Sequence, residues 1–369
     1  MRTCGLIVAC LLLAACGKGS GDQTSRSAGV VHVYNWSDYI AEDTLPSFEQ
    51  ASKLRVVYDV YDSNEVLEAK LMAGRSGYDL VFPSARPFAE RHIQSGVYQP
   101  LDRDRLANYG NLDPSIMAGL SDIDPGNAHL VPYMWGTTGL GINVKQVRER
   151  LGADVALDSW ALLFDPANAE KLADCGISVL DDDQETFGAA LIWLGRDPNA
   201  HAADEVDAVT QAYAAIRPHV RYFHSSKYID DLANGDVCLA MGYSGDVLQA
   251  RDRAVEANNG VEIAYVIPKE GALRWIDVMA IPKDAPNPAA AHALIDHLLK
   301  PEVIAKVSEA VGYANANQAA TALLDAELTG NPGVYPPPEV MAKLIDPKSL
   351  PQDQQRARVR GWTTIKTGR

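Results

Sequence analysis

Along most of the chain, short runs of β-branched and aromatic residues alternate with longer segments of helical periodicity. The runs are typical of strands, and residues 63–73 illustrate the helical pattern, because Val66, Leu67 and Leu71 can share one face. Strands are predicted at residues 30–35, 54–60, 78–82, 139–144, 176–180, 237–243, 261–267 and 276–281. Regular alternation of strands and helices predicts an α/β fold in layers, with mostly parallel sheets.

The part of the chain after its first 29 residues is long for one hydrophobic core, so two domains are expected. Two strand-to-strand passages, glycine-rich residues 135–141 and residues 257–261, then predict a hinge between two lobes. A cleft between two lobes is a common place for a small molecule to bind.

The first residues have the features of an export signal rather than of a folded element. Arg2 gives a positive start, and the apolar run 6–13 is shorter than the about 20 residues that a membrane span needs. The sequence LAAC at 13–16 resembles the lipobox of bacterial lipoproteins, which predicts a signal at 1–15 and acylation of Cys16; an ordinary secretory signal is the alternative. Residues 16–29 are rich in Gly and Ser and predict a flexible tether, so we expect attachment to a membrane through lipid alone.

Two cysteines remain once the predicted signal and Cys16 are set aside, namely Cys175 and Cys238. Two cysteines in an exported chain usually form a disulfide, and two buried free thiols are the alternative. Closing so long a loop would stabilise the fold by about 4 kcal/mol in the chain-entropy description.

The chain is acidic, with 33 basic and 48 acidic residues and a formal net charge of −15. This balance argues against nucleic acid as a partner, because nucleic acid attracts lysine and arginine. An acidic cleft would instead attract a cationic ligand.

Catalytic motifs in the sequence are incomplete. The segment GYSGD (242–246) nearly matches a nucleophile elbow around Ser244, but Asp246 occupies a position that must be small. Residues 122–127 look like the start of a calcium loop, yet Tyr133 stands where a glutamate is needed. The scattered histidines argue against zinc. We therefore expect no enzyme, no cofactor and no metal, although pairs of acids leave a glycosidase open at this point.

Aromatic and acidic residues recur together at the ends of predicted strands. The first strand is followed by a loop of the kind in which α/β sheets bind ligands, containing Trp36, Ser37, Asp38 and Tyr39. The alternative is that the aromatic rings cap the core and Asp38 is a helix N-cap. The same mixture recurs at Tyr243, Asp246, Trp275, Asp277 and Tyr313, and a further strand ends in an acidic run containing Asp182 and Glu185.

A ligand for such residues is cationic and partly apolar. Carboxylates accept hydrogen bonds from protonated amines, and aromatic rings pack against methylene groups and attract ammonium groups. Each buried ammonium group needs its own acid, because a buried unpaired charge is costly. Linear polyamines, with charges at intervals along an apolar chain, fit this description.

Six motifs in one order resemble the periplasmic polyamine-binding proteins of bacterial ABC importers, the putrescine and spermidine receptors. The motifs are YNWSDYI (34–40), VYDVYDSNE (57–65), PYMWGTTG (132–139), YFHSS (222–226), LANGD (232–236) and YANAN (313–317). The resemblance implies a type II periplasmic-binding-protein fold, in which two α/β lobes joined by a hinge close on the ligand. It also implies the permease subunits of an ABC importer as partners. We assign residues 30–136 and 261–314 to lobe 1, and residues 137–260 and 315–369 to lobe 2.

The resemblance also implies a ligand set. Carried over by motif, Trp36, Ser37, Asp38, Tyr39 and Ser84 line the cleft from the first lobe, and Glu185, Tyr243 and Asp246 line it from the second. Trp275, Asp277 and Tyr313 complete an aromatic box, and Cys175 and Cys238 match positions that form a disulfide in putrescine receptors.

Four positions bear on the choice of polyamine. The overall resemblance is strongest to putrescine receptors, but Asp182 and Trp275 are typical of relatives that prefer spermidine. A third amine needs a further acceptor, and an indole gives a longer platform, whereas Tyr243 narrows the box and Arg86 would repel a polycation if it pointed inward. We therefore expect a monomeric periplasmic receptor that favours spermidine over putrescine. Alternatives are a receptor for another organic cation such as agmatine, and a polyamine sensor without a transport role.

Overall fold

The computed structural model describes residues 29–200 and 202–368. The predicted signal, the predicted lipidation site Cys16 and most of the predicted tether lie outside the described residues. Within the described ranges the strands are β1 Val30–Trp36, β2 Arg55–Tyr61, β3 Leu80–Val81, β4 Leu130–Asn143, β5 Ile177–Val179, β6 Val220–Phe223, β7 Leu239–Tyr243, β8 Ile263–Val266, β9 Ala272–Ala280, β10 Ala314–Asn315 and β11 Leu344–Ile345.

The α-helices of the described ranges lie between these strands and in the last part of the chain. They are α1 Thr44–Ser52, α2 Asn64–Met72, α3 Glu90–Gln94, α4 Pro114–Gly119, α5 Val144–Leu151, α6 Ala161–Phe164, α7 Pro166–Leu172, α8 Asp183–Trp193, α9 Ala203–Ile216, α10 Tyr228–Asn234, α11 Ser244–Ala257, α12 Pro288–Leu298, α13 Pro301–Val311, α14 Ala326–Thr329, α15 Pro338–Met341 and α16 Gln352–Thr367. In the described part of the chain, no helix combines the length and the apolarity that crossing a bilayer requires.

The sheet of lobe 1 has the order β2-β1-β3-β9-β4, with β10 paired to β4. Strands β2, β1 and β3 are parallel, whereas β9 is antiparallel to both of its neighbours. The carboxyl ends of the parallel strands therefore meet at one edge of the sheet, which is the usual place for a ligand in an α/β fold.

The sheet of lobe 2 contains the second half of β4 together with β5, β6, β7 and β8. Strand β4 is continuous between the lobes, because Thr137 pairs with β9 whereas Thr138 pairs with β7. The predicted α/β fold with two lobes is confirmed. The sheets are more antiparallel than expected, because the long strands β4 and β9 run against their neighbours.

The return of the chain to lobe 1 differs from the predicted position at residue 261. Strand β8 pairs with residues 140–143 of β4, so residues 263–266 belong to the lobe 2 sheet, and β9 carries the chain back. The reason is local: Asn258 has a left-handed backbone with φ of 47° and ends α11, so the polar turn reverses the chain into β8 instead of crossing between lobes. The predicted start of the last lobe 2 segment at residue 315 also differs, because Asn315 pairs with Met134 in the lobe 1 sheet and Ala316, Ala320 and Leu324 pack in the core of lobe 1. The remainder of the predicted division between the lobes stays a prediction.

Alternate residues of the lobe 1 strands belong to two separate hydrophobic clusters. Core A contains Val31, Val33, Leu80, Met279 and, near the cleft, Tyr39, Trp275 and Tyr313. Core B contains Tyr34, Tyr61, Val81, Val278, Leu120, Ala85 and Ala89. Because successive side chains of a strand point to opposite faces, the two cores lie on opposite faces of the lobe 1 sheet.

Lobe 2 has its own core, in which the ring of Phe164 contacts those of Trp160 and Tyr213, with centroids 6.0 and 5.2 Å apart. A disulfide between Cys175 and Cys238, whose Cα atoms are 5.5 Å apart, lies at the edge of this core and confirms the predicted pairing. It links the segments that lead into the neighbouring strands β5 and β7.

Candidate ligand-binding cleft

A cleft between the lobes is lined by residues that follow β1, β2 and β3 of lobe 1 and β5 and β7 of lobe 2. Of the twelve residues that we predicted for ligand binding, eleven line this one cleft: Trp36, Ser37, Tyr39, Ser84, Asp182, Glu185, Tyr243, Asp246, Trp275, Asp277 and Tyr313. Chain segments far apart in sequence therefore meet at one place.

Asp38 is the predicted residue that does not line the cleft. Its side chain, 45% exposed, pairs with Arg253 of α11, with Nη2 3.0 Å from Oδ1. Gln249 of α11 also donates to the main-chain oxygen of Asp38 at 3.4 Å. Asp38 thus joins lobe 1 to α11 of lobe 2 at the rim of the cleft.

Asp277 of β9 is buried, with 4% of its surface exposed, and is held by a short chain of hydrogen bonds. Ser84 Oγ donates to Asp277 Oδ1 at 2.7 Å, and Asn64 Nδ2 donates to Ser84 Oγ at 3.0 Å. The main-chain N–H of Ser84 donates to Asn64 Oδ1 at 3.1 Å, which fixes the orientation of the Asn64 side-chain amide. Burial raises the pKa of Asp277 to about 7, opposed by the bond from Ser84.

Asp246 lies in the first turn of α11 and accepts hydrogen bonds from two phenols. Tyr313 Oη donates to Oδ1 at 2.6 Å, and Tyr228 Oη donates to Oδ2 at 2.7 Å. Burial raises the pKa of Asp246 to about 6, and the two phenol bonds act in the opposite direction. Tyr228 is fully buried and belongs to α10, so only the fold reveals that it orients this carboxylate.

Asp182 and Glu185 stand at the start of α8. Asp182 is the N-cap, because its Oδ1 accepts from the N–H groups of Gln184 and Glu185, both at 2.9 Å. Its other oxygen lies 3.5 Å from the hydroxyl of Tyr243. Burial raises the pKa of Asp182 to about 6.

Glu185 is buried beside Asp182, with 4% of its surface exposed, and its Oε2 has no hydrogen-bond partner among the described residues. Burial, and then the charge of Asp182, raise the pKa of Glu185 to about 8. A buried carboxyl oxygen without a partner is unfavourable. A donor in the cleft would satisfy it, and a cation would do so most strongly.

Aromatic rings form the walls between these acids. Trp275 packs edge to face against Tyr243 and Tyr313, with centroids 5.7 and 5.2 Å apart, and Tyr313 packs in the same way against Tyr39 at 5.3 Å. Trp36 donates its indole N–H to the carbonyl of Phe82 at 2.8 Å, which fixes its ring at the end of β1.

Two glycines provide the space for these rings. A Cβ atom on Gly136 would lie 2.6 Å from the indole of Trp275, and one on Gly245 would lie 2.5 Å from the ring of Tyr313. Both distances are shorter than a contact between carbon atoms allows. The glycines of the motifs PYMWGTTG and GYSGD are therefore part of the aromatic walls.

Several lining residues were not predicted from the sequence: Tyr61, Asp62, Asn64, Phe88, Gln184, Ser225, Ser226 and Ile229. Most carry no chemical signal that distinguishes them from ordinary surface or core residues. Five of them lay within quoted motifs, namely Tyr61, Asp62 and Asn64 in VYDVYDSNE and Ser225 and Ser226 in YFHSS. For the first three, the position directly after a predicted strand was the available signal.

Arg86 also lines the cleft, and its partners fix the direction of its side chain. Its guanidinium donates to the carbonyl of Gly119 at 3.2 Å and contacts Asp122, both outside the cleft lining. The stem of Arg86 thus lies along the cleft while its charged group is held to one side.

Shielded carboxyls with raised pKa values, aromatic walls and two lobes joined by a continuous strand are features of a protein that can enclose a small molecule. Residues 45–336 match the family of bacterial extracellular solute-binding proteins, and the chain belongs to this family. The family consists of solute-binding proteins, so the chain is a binding protein and not an enzyme.

Similar proteins extend over nearly the whole chain, and they confirm the resemblance noted in the sequence. The chain is 49% identical over 366 residues to the putrescine-binding periplasmic protein PotF of Escherichia coli, covering 99% of this chain and 97% of that protein. It is 50% identical over 359 residues to the putrescine-binding periplasmic protein SpuD of Pseudomonas aeruginosa, covering 97% and 98%. Its structure is similar to the crystal structure of the TpPotD lipoprotein of Treponema pallidum, with a TM-score of 0.75 and 26% identity, covering 92% of this chain and 99% of that chain.

Proposed function

We propose that this protein is a periplasmic receptor that captures a linear polyamine, with putrescine preferred, and delivers it to an ABC importer. The observation that carries the proposal is a set of four carboxyls around an aromatic box whose pKa values are raised, Glu185 and Asp277 being buried and Asp182 and Asp246 half-buried. Ionised carboxylates there are costly unless a cation is present, so the cleft is built for a ligand that supplies positive charge.

The placement of the acids supports a ligand with two charged ends. Burial raises the pKa of Tyr39, and the charges of Asp277 and Asp246 raise it further. Tyr313 links Asp246 to the ring of Tyr39, so Asp277 and Asp246 would together hold one ammonium group. Asp182 and Glu185 lie together at the start of α8 and would hold the other. The methylene chain would pack between these ends on Trp36, Tyr39, Tyr243, Trp275 and Tyr313.

Putrescine replaces spermidine as the favoured ligand for two reasons. The similar proteins PotF and SpuD are named as putrescine-binding proteins. In addition, spermidine would need Asp182 as the acceptor for its third amine, but one oxygen of Asp182 already caps α8. Glu185, Asp246 and Asp277, with the other oxygen of Asp182, suffice for the two amines of putrescine.

Lipid attachment through Cys16 and monomeric behaviour belong to the same proposal. The sequence LAAC at 13–16 and the tether at 16–29 support an anchor. Mass spectrometry of the mature protein tests it: acyl chains on an N-terminal Cys16 are expected, and an unmodified N-terminus at another residue would contradict it. A Cys16→Ser variant should be released from membranes, whereas Cys175→Ser should not.

Calorimetric titration with putrescine, cadaverine, spermidine, spermine and agmatine tests the ligand. The protein should first be unfolded and refolded during dialysis, so that bound cellular amines are removed. We expect the tightest binding for putrescine, with one molecule per chain. Absence of heat with every polyamine would contradict the proposal, and a clear preference for agmatine would replace it with a receptor for another organic cation.

A test of transport separates delivery from sensing. Deletion of the gene should abolish uptake of labelled putrescine at low external concentration, and a plasmid copy should restore it. Normal uptake together with altered polyamine-dependent gene expression would favour the sensor alternative.

A further inference from the structure

Arg86 is the positively charged member of the cleft lining in the described part of the chain. Its side chain is 14% exposed, whereas that of its partner Asp122 is 70% exposed and lies outside the lining. The stem of Arg86 therefore lies along the cleft, its guanidinium is the shielded end of the ion pair, and Asp122 is the exposed end. The pair also holds the pKa of Asp122 below its ordinary value.

Arg86 lies beside core B of lobe 1. Ala85 and Ala89, on either side of Arg86, belong to core B, as does Leu120 beside the Gly119 carbonyl that accepts from Arg86. The aromatic box, by contrast, belongs to core A on the opposite face of the sheet. Arg86 and the box are therefore associated with opposite faces of the lobe 1 sheet.

The end at the aromatic box is closed by contacts between the lobes. Tyr313 donates to Asp246 at 2.6 Å, Arg253 pairs with Asp38 at 3.0 Å, and Gln249 donates to the carbonyl of Val311 at 3.1 Å. Asp62 and Ser225 line both the cleft and a neighbouring cavity. A ligand longer than a diamine therefore has space to extend from the cleft, which Arg86 lines, towards this second cavity.

We propose that Arg86, held by Asp122 and the Gly119 carbonyl, determines specificity by limiting the ligand to two ammonium groups. This inference rests on the proposed function, since it presupposes a polyamine in the cleft. A third ammonium group would lie near the guanidinium of Arg86, and like charges in a partly buried site repel strongly. Asp62, which lines both the cleft and the second cavity, is then available to a third ammonium group only when the charge of Arg86 is removed.

The test compares spermidine and putrescine affinities, by titration, in four proteins: wild type, Arg86→Gln, Asp122→Asn and Arg105→Gln. Arg86→Gln removes the charge, and the ratio of spermidine to putrescine affinity should rise by about fivefold or more. Asp122→Asn leaves the guanidinium without its acid, and the ratio should fall. Arg105→Gln, in an exposed pair with Asp102 away from the cleft, should leave the ratio unchanged.

The outcomes separate this inference from the proposed function. Wild type that binds no polyamine would overturn the proposed function. Wild type that binds putrescine, with an unchanged or lower ratio in Arg86→Gln, would overturn the inference, as would a higher ratio in Asp122→Asn. Thermal unfolding of each variant checks folding, and Arg86→Met, which retains the length of the stem, replaces Arg86→Gln if that variant does not fold.

Discussion

At the scale of the residue, burial of the cleft carboxyls disfavours their ionised form. Asp277 and Glu185 are almost fully buried, and no ion pair with Lys or Arg is formed by either among the described residues. Neutral donors such as Ser84 orient Asp277 without neutralising it. Such an arrangement favours a ligand that brings positive charge, because only the ligand can compensate the cost of ionising the acids.

Replacing Asp277 tests this at one residue. Asp277→Asn keeps the size of the side chain but removes the charge that a buried ammonium group needs, so putrescine affinity should fall by about hundredfold or more. Calorimetry measures the change, and Asp104→Asn, an exposed acid outside the cleft, is the matched control. Equal affinities for Asp277→Asn and wild type would contradict the assignment of Asp277.

The packing of the Tyr313 ring against Gly245 gives a second prediction. Gly245→Ala would place a Cβ atom 2.5 Å from the Tyr313 ring, so the ring must move and its bond to Asp246 must lengthen. Putrescine affinity should fall about tenfold, since a bond to a charged group contributes about 1.5–3 kcal/mol. Gly110→Ala, which meets no atom within 4 Å, serves as the control and should bind as wild type does. An unchanged affinity in Gly245→Ala would show that the ring position is unimportant.

At the scale of the element, the start of α8 combines a structural and a binding role. Asp182 caps the helix, and the first turn presents Glu185 to the cleft. The N-terminal end of a helix also favours negative charge through its dipole. The helix therefore stabilises acids that burial would otherwise neutralise, and it places them opposite Asp277 of the other lobe.

Two substitutions of Asp182 separate the cap from the charge. Asn can cap a helix and Ala cannot. The free energy of unfolding should therefore be about 1 kcal/mol lower for Asp182→Ala than for Asp182→Asn. Both variants lack the charge, so both should lower the pKa of Glu185, which the charge of Asp182 raises. Chemical denaturation measures the first effect, and carboxyl titration by NMR measures the second. Equal stabilities would show that the cap contributes nothing.

At the scale of the whole molecule, ligand binding and proton binding are linked through the cleft. The pKa values of Asp182 and Asp246 are raised to about 6, that of Asp277 to about 7 and that of Glu185 to about 8. In the unfolded chain these carboxyls titrate near pH 4. The folded protein without ligand therefore binds more protons than the unfolded chain between about pH 4 and about pH 8, and these groups make it less stable as the pH rises through that range.

A bound polyamine reverses this balance, because positive charge favours ionised carboxyls. Binding should release protons, and putrescine affinity should rise between pH 5.5 and pH 8 while the amines remain charged, with amine pKa values near 10. Titrations in two buffers of different ionisation enthalpy measure the protons released. Affinity that stays constant or falls over this range would contradict the linkage.

The sequence by itself determined the elements and their chemistry. Strands at 30–35, 54–60 and 237–243 were predicted within two residues of their observed bounds, because their patterns of β-branched and aromatic residues are local properties. The resemblance to polyamine-binding proteins, together with the aromatic and acidic residues near predicted strand ends, identified eleven of the residues that line the cleft.

Only the tertiary structure decided how these pieces face one another. Strand β6 was missed, since it is four residues long and is stabilised by its neighbour β5 rather than by its own pattern. Tyr228 as a partner of Asp246, Asp38 as a link between the lobes and the outward turn of Arg86 all depend on contacts between distant segments. Such contacts arise from the packing of two lobes, and the spacing of residues along the chain does not specify them.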